Sequence, residues 1–204
     1  MPALTPVPTA QVSIFSSGTS KGIIQTRGAQ IVGRADVAFD GVYVAAYAKN
    51  VTATWSTGEA GAIIGFKKSV SGFQLGASAT LRRAIDAAPR TDATALELAA
   101  SASYRVGQVT PSLIVIYSPD DLGPGKRSVY VEGGASYAIS KHLSASAAIG
   151  RRNRIIGANY TAWNAGVTWS PIKNASFDVR YYSTDGENAW PYKPRFVVGA
   201  AFKF

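Results

Sequence analysis

The chain has no cysteine, so disulfides and thiolate metal sites are excluded. It has one histidine, His142, in a predicted short turn, Ser140-Lys-His-Leu-Ser144, where polar residues are the ordinary filling. HExxH, a Walker loop and a Cys/His metal set are all missing, so no enzyme, no metal site and no cofactor are predicted. Asp120-Asp121 with Gly123 and Gly125 lack the ligand spacing of a calcium loop. Long apolar runs are missing too. The uncharged stretch from Ile155 to Ile172 is broken by Gly157, Asn159, Asn164, Gly166 and Pro171, so no helical span is expected.

Acidic residues are scarce: 12 Asp and Glu against 21 Lys and Arg give a net charge of +9. The basic residues are scattered over strand ends and loops, without a basic helix or a stacked aromatic platform, so nucleic acid is not expected as a partner. No signal peptide is visible. Met1-Pro-Ala-Leu-Thr-Pro-Val-Pro-Thr-Ala10 has neither a basic segment nor an apolar core, and reads as a flexible Pro-rich start, 1–10, ahead of a single domain, 11–204. The expectation is that a signal peptide has been removed and an initiator Met added.

What is present is alternation. In Arg195 to Phe204, Phe196, Val198, Ala200, Phe202 and Phe204 share one face, against Arg195, Val197, Gly199, Ala201 and Lys203. Thr161, Trp163, Ala165, Val167 and Trp169 oppose Tyr160, Ala162, Asn164, Gly166 and Thr168. Phe177, Val179 and Tyr181 oppose Asp178, Arg180 and Tyr182. One face is apolar, and the other mixes charge with Gly, Ala and Ser. A soluble sandwich or lipocalin-like barrel shares this period of two with its faces reversed, but a soluble exterior favours long charged side chains. Mean hydropathy is near zero, as a barrel that meets lipid with alternate residues requires. Trp163 and Trp169 lie roughly 20 Å apart along a strand at about 3.3 Å per residue, a spacing that approaches two interfacial aromatic belts.

About twelve strands are predicted, at 11–25, 29–39, 42–51, 60–70, 73–84, 94–105, 109–118, 127–139, 143–153, 159–170, 175–184 and 194–204. Ten is the neighbouring alternative. Short connections such as Asp40-Gly41 and Val70-Ser71-Gly72 take turns with longer ones such as Thr52 to Glu59, Ile85 to Asp92 and Asp185 to Lys193. The fold class is therefore all-β, a transmembrane up-and-down antiparallel β-barrel with its short turns and both termini on the periplasmic side.

Several motifs carry a resemblance. They are Lys21-Gly-Ile-Ile-Gln-Thr26, Gly41-Val-Tyr-Val-Ala-Ala-Tyr-Ala-Lys-Asn-Val51, Tyr117-Ser-Pro-Asp120 and Thr161-Ala-Trp-Asn-Ala-Gly166. In order and spacing they resemble the TorF-type porin family of proteobacterial outer-membrane proteins, also called the Gcw_chp family. The departure is at Gly18, Thr19 and Ser20, where aromatic and Arg residues usually precede the first Gly-Ile. The resemblance implies an outer-membrane porin and supplies no substrate and no catalytic residues.

The predicted pore-lining residues are Arg34, Asp36, Arg82, Glu97, Glu132, Asp178, Arg180 and Arg195. They read equally as a selectivity zone, with opposed charges across a narrow aqueous path, or as ion pairs that brace a small lumen. The face taken by Tyr43 and Tyr47 is open, since Val42, Val44, Ala46 and Ala48 compete as the lipid face. Arg151, Arg152 and Arg154, with Arg82, Arg83 and Arg90, fall at predicted outer-rim positions suited to lipopolysaccharide phosphates or to a solvated loop face. The expected partners are outer-membrane lipid, lipopolysaccharide and small solutes, with oligomers open. The predicted function is passive diffusion of small, anionic solutes. The alternative is a non-conducting barrel that docks partners through its loops.

Overall fold

The computed structural model describes residues 6–53 and 55–204. In chain order the strands are β1 (Val7–Phe15), β2 (Thr19–Ser20), β3 (Ile23–Ile24), β4 (Gln30–Phe39), β5 (Val42–Ala53), β6 (Ser56–Val70) and β7 (Phe73–Ile85). They continue as β8 (Thr94–Tyr104), β9 (Val109–Asp120), β10 (Ser128–Ala138), β11 (Leu143–Arg154), β12 (Tyr160–Ile172), β13 (Ala175–Thr184) and β14 (Arg195–Lys203). Twelve of them, β1 and β4 to β14, close an antiparallel barrel in sequence order, with β1 seated between β4 and β14. The even number places both ends of the chain on the rim of the short turns. There the Ala10 amide donates to the Phe204 carbonyl (3.1 Å) and the Phe204 amide to the Ala10 carbonyl (2.8 Å). Closure leaves no strand edge, the condition for a sheet to cross lipid.

The apolar face points outward on every strand. Ile14, Ile64, Leu81, Leu98, Ile149, Val167, Phe196 and Val198 are all exposed. Near the short-turn rim the outward aromatics gather into a girdle. Phe73 stacks on Tyr104 (4.7 Å between centroids), Trp169 on Phe177 (5.6 Å), and Phe177 meets Phe202 edge-on (6.3 Å). Trp163 lies further up β12 opposite Ile149, with Tyr181 and Phe196 stacked 5.1 Å apart nearby. Amphipathic rings at headgroup level are the habit of membrane barrels.

Inward positions alternate with these, and the ladders settle the face that the sequence leaves open. Arg34 pairs with Tyr47 and Ala38 with Tyr43, so both tyrosines point into the lumen and Val42, Val44, Ala46 and Ala48 face out. Across β6 they lie over glycines. A Cβ at Gly61 would sit 2.4 Å from the Tyr47 ring, and one at Gly65 2.3 Å from Tyr43.

Three boundaries differ from the sequence expectation. Residues 7–10, expected in the flexible lead, belong to β1; residues 1–5 lie outside those described. The first strand ends at Phe15 instead of 25. Ser16-Ser17-Gly18 breaks the alternation, and Lys21 and Gly22 take positive φ (50° and 80°) in a tight turn between β2 and β3. That small hairpin sits in the lumen. Finally, the loop expected at Thr52 to Glu59 is mostly strand, because Lys49 and Glu59 continue the β5–β6 ladder.

The face assignment is testable. Gly61→Val drives a branched side chain into Tyr47, whose hydroxyl is held by Glu59 at 2.6 Å. It should lower the unfolding free energy in urea by about 1–3 kcal/mol. Ala62→Val, one residue on and facing lipid, should stay within about 0.5 kcal/mol. Equal destabilisation by both would contradict the faces.

Candidate functional site

All eight predicted pore-lining residues face the lumen, but they form separate groups. In the outer half Arg82 is the hub. Its Nε and Nη2 donate to Glu59 (3.2 and 2.8 Å), and its Nη1 donates to Glu97 and to Asp121 (3.1 Å each). Adjacent strands deliver these groups, Glu59 from β6, Arg82 from β7 and Glu97 from β8, with Asp121 following β9. Asp121 is also held by Arg152 and by the Ser128 hydroxyl (3.1 Å). Glu59 further accepts from Tyr47, with Lys49 3.4 Å away. Each carboxylate is thus neutralised where it is buried, without which its desolvation would be costly.

The inturned loop joins this network. Lys21 bonds to Glu97, its carbonyl accepts from the Tyr160 hydroxyl (2.8 Å), and Gln25 accepts from Lys49 (2.8 Å). The Ile24 amide donates to the Pro191 carbonyl of the last outer loop (3.0 Å). Arg195, predicted to line the pore, anchors the base of the loop through the Ser17 hydroxyl (2.5 Å) and the Thr26 carbonyl (3.4 Å).

The remaining groups lie nearer the short-turn rim. Arg34 clamps Asp36 two residues along its own strand (2.9 Å from Nε). Arg180 holds Asp178 (3.1 Å), Asn164 (2.8 Å) and Ser146 (2.8 Å), and Thr168 donates to Asp178 (2.7 Å). Glu132 accepts from Tyr130 (2.5 Å). Lys67 stands 5.1 Å from the Tyr43 ring with no carboxylate partner among the described residues.

Three rim assignments are corrected. Arg152 and Arg154 point inward, opposite Tyr130 and Ser128 on the lumen face, because neighbours along a strand must alternate. Only Arg151 of that trio is outside, where it meets Thr161 (3.0 Å) and Asp185 (3.4 Å). Likewise Arg82 is inward and Arg83 outward, while Arg90 is exposed in a loop. Sequence reasoning missed Lys21, Lys49, Glu59 and Asp121. The parity that fixes Tyr47 also fixes Lys49, so that signal was present. Asp120, next to Asp121, is 3.5 Å from Lys126, so both aspartates of the pair sit beside cations. His142 lies in its turn at the rim, its Nδ1 2.9 Å from the Ser170 carbonyl, and no carboxylate orients it among the described residues.

Four cavities run along the interior. The outermost, of about 240 Å³, and the next, of about 260 Å³, share Lys21, Glu59 and Arg82 as walls. The second shares Glu132 with two lower cavities of about 250 and 350 Å³, the latter reaching Arg180. Lys21, Arg82 and Glu59 stand between the outermost cavity and the next.

Lys21 is only 6 % exposed. Burial and then Arg82 disfavour its ammonium, Glu97 pulls the other way, and the balance lowers its pKa from 10.5 to about 8. The folded value lies below the unfolded one, so the unfolded chain binds more protons between the two. Stability therefore rises with pH from about 8 to 10.5, and the cost of the buried ammonium is fully present below that window. An NMR titration of the Lys21 side chain should give a midpoint near 8. A midpoint at the ordinary lysine value of about 10.4 would contradict the seated loop.

The barrel resembles solved outer-membrane proteins along nearly its whole length. It superposes on the KdgM porin with a TM-score of 0.69 at 10% identity, covering 96% of this chain and 99% of that one. The NanC porin gives 0.64 at 10%, covering 96% and 100%. The COG4313 outer membrane channel from Pseudomonas putida F1 gives 0.61 at 11%, covering 96% and 94%. Likeness at this identity shows a shared fold. No curated protein matches the sequence. The family model described as "Bacterial protein of unknown function (Gcw_chp)" matches residues 5–202, and the chain belongs to that family.

Proposed function

We propose that this protein is an outer-membrane channel for passive diffusion of small anionic solutes; its TorF-type resemblance implies the porin, and the charge of its lumen the sign of the solute. The observation that carries this is the series of cavities, neighbours sharing lining residues, from the loop rim into the inner half of the barrel. Charge supports the sign of the solute. Lys67, Arg154 and Arg195 face the lumen without a carboxylate partner among the described residues, while, of the inward carboxylates, Asp36, Glu59, Glu97, Asp121 and Asp178 are each in a salt bridge and Glu132 alone is held by a neutral donor, Tyr130. An unbalanced basic wall beside low-dielectric strands concentrates anions. One KdgM porin structure holds disordered oligogalacturonate, a solute of that sign. For the outward arginines of the set, Arg151 beside Asp185 together with Arg83 and Arg90, lipopolysaccharide phosphate is the partner we propose.

A second reading has its own observation. The inturned loop and its ion pairs fill much of the outer half, as side chains and loops do in plugged barrels. On that reading the barrel does not conduct and acts through its outer loops.

Planar-bilayer recording separates the two. The channel reading predicts steady single-channel steps, with a reversal potential under a salt gradient on the anion side. A unit charge about 4 Å from a permeating ion in water is worth about 1 kcal/mol, so Lys67→Gln should cut the anion-to-cation permeability ratio by up to about fivefold. Silence from folded, heat-modifiable protein would leave the second reading.

A further inference from the structure

The outermost cavity is not lined like a simple aqueous vestibule. Its walls are apolar: Ile23 and Ile24 from the inturned hairpin, Leu122 and Pro124 from the loop after β9, and Trp55 and Trp190 from two other outer connections. Its polar groups are mainly donors. Arg152 Nε, Arg154 Nε and Nη2, and Trp190 Nε1 are buried and have no hydrogen-bond partner among the described residues, and all three residues line this one cavity. Buried donors left unmatched are costly, so several around one cavity mark it for an acceptor.

The acceptor must carry negative charge. The two carboxylates at the cavity floor are already engaged, Glu59 by Arg82 and Asp121 by Arg82 and Arg152, so neither supplies Arg154, and Arg152 keeps its Nε unmatched. Among the described residues Arg154 has no carboxylate within salt-bridge reach, and it lies over the Tyr160 ring at 5.2 Å. A planar guanidinium pairs with a carboxylate through two parallel hydrogen bonds. The apolar walls ask for a flat hydrophobic body attached to that charge, which indole faces accept by stacking. About 240 Å³ lies below the range of about 300–1,000 Å³ typical for drug-sized ligands, so the occupant is small.

We infer that the outer mouth is a binding site for a small aromatic carboxylate, held by Arg154, Arg152 and the Trp190 N–H against Trp55, Ile24 and Leu122. This deepens the channel reading, on which it rests for the solute's onward route but not for the site itself. The bound anion would lie on the outer side of Lys21, Arg82 and Glu59, so the site selects a solute before the next cavity is met.

Benzoate is the probe, titrated by calorimetry and tryptophan fluorescence against the full chain folded in detergent. Benzamide keeps the ring without the charge; acetate keeps the charge without the ring. The expected result is saturable benzoate binding at one site, with benzamide and acetate each weaker by at least about tenfold, the worth of one good hydrogen bond to a charged group. Arg154→Gln should lower benzoate affinity by a similar factor. Trp190→Phe, which keeps the ring and removes the N–H, should lower it severalfold. Circular dichroism and heat-modifiable migration establish that each variant is folded.

Three results would overturn the inference: no saturable benzoate binding to folded protein, acetate or inorganic phosphate binding as tightly as benzoate, or unchanged affinity in both folded variants. The channel reading is tested apart from it, since binding in detergent needs no gradient and no open path. Protein that conducts without binding benzoate loses this site and keeps the channel. Protein that binds benzoate without conducting keeps the site and loses the channel.

Discussion

One guanidinium holds the outer half of this barrel together. Arg82 is 7 % exposed, far too buried to be left unpaired, and it meets that demand by gathering carboxylates from both neighbouring strands and from the loop after β9. Each carboxylate then recruits a second cation: Lys49 for Glu59, Lys21 for Glu97, Arg152 for Asp121. Such networks add little net stability over an apolar filling, but removing any single member strands a charge, so the geometry is tightly specified. The consequence reaches the fold. Lys21 can satisfy Glu97 only from inside the barrel, so the β2–β3 hairpin turns inward.

The alternation of apolar with small and polar residues was enough to mark the membrane-facing side and nearly every strand, because lipid on one side and water on the other impose a period of two. It also gave the inward direction of Arg34, Asp36, Glu97, Glu132, Asp178, Arg180 and Arg195. Where a single strand's pattern was weak, the reading slipped. The stretch after Phe15 reads as strand because short polar alternation suits a strand and an inturned hairpin equally. The adjacent Ile23 and Ile24, which break the alternation, were the available warning. Arg152 and Arg154 were assigned by closeness to the rim, and parity along β11 overrules that.

The candidate site was less legible for a geometric reason. Which inward charges meet across a lumen depends on strand tilt and register stagger, and neither is encoded in any one segment. Glu59 and Arg82 lie 23 residues apart, and Lys21 and Glu97 lie 76 apart. Arg34–Asp36 and Asp178–Arg180, by contrast, are two residues apart on one strand and could be read directly. The result is an interior of two characters. The inner half carries local clamps and the free amine of Lys67 around open space; the outer half is a locked network capped by an aromatic and arginine-lined mouth.

The account stands on the first loop being seated inside the barrel by that network, and amide hydrogen exchange tests this without any substitution. The Ile24 amide donates to the Pro191 carbonyl, that of Gln25 to the Gly18 carbonyl, and that of Thr52 to the Gln25 carbonyl. In folded protein the Ile24 and Thr52 amides should be protected nearly as well as amides of the barrel strands, because their bonds cross between the loop and other elements and exposing them requires the loop to leave the lumen. Exchange at the rate of a free surface loop would contradict a loop seated inside the barrel.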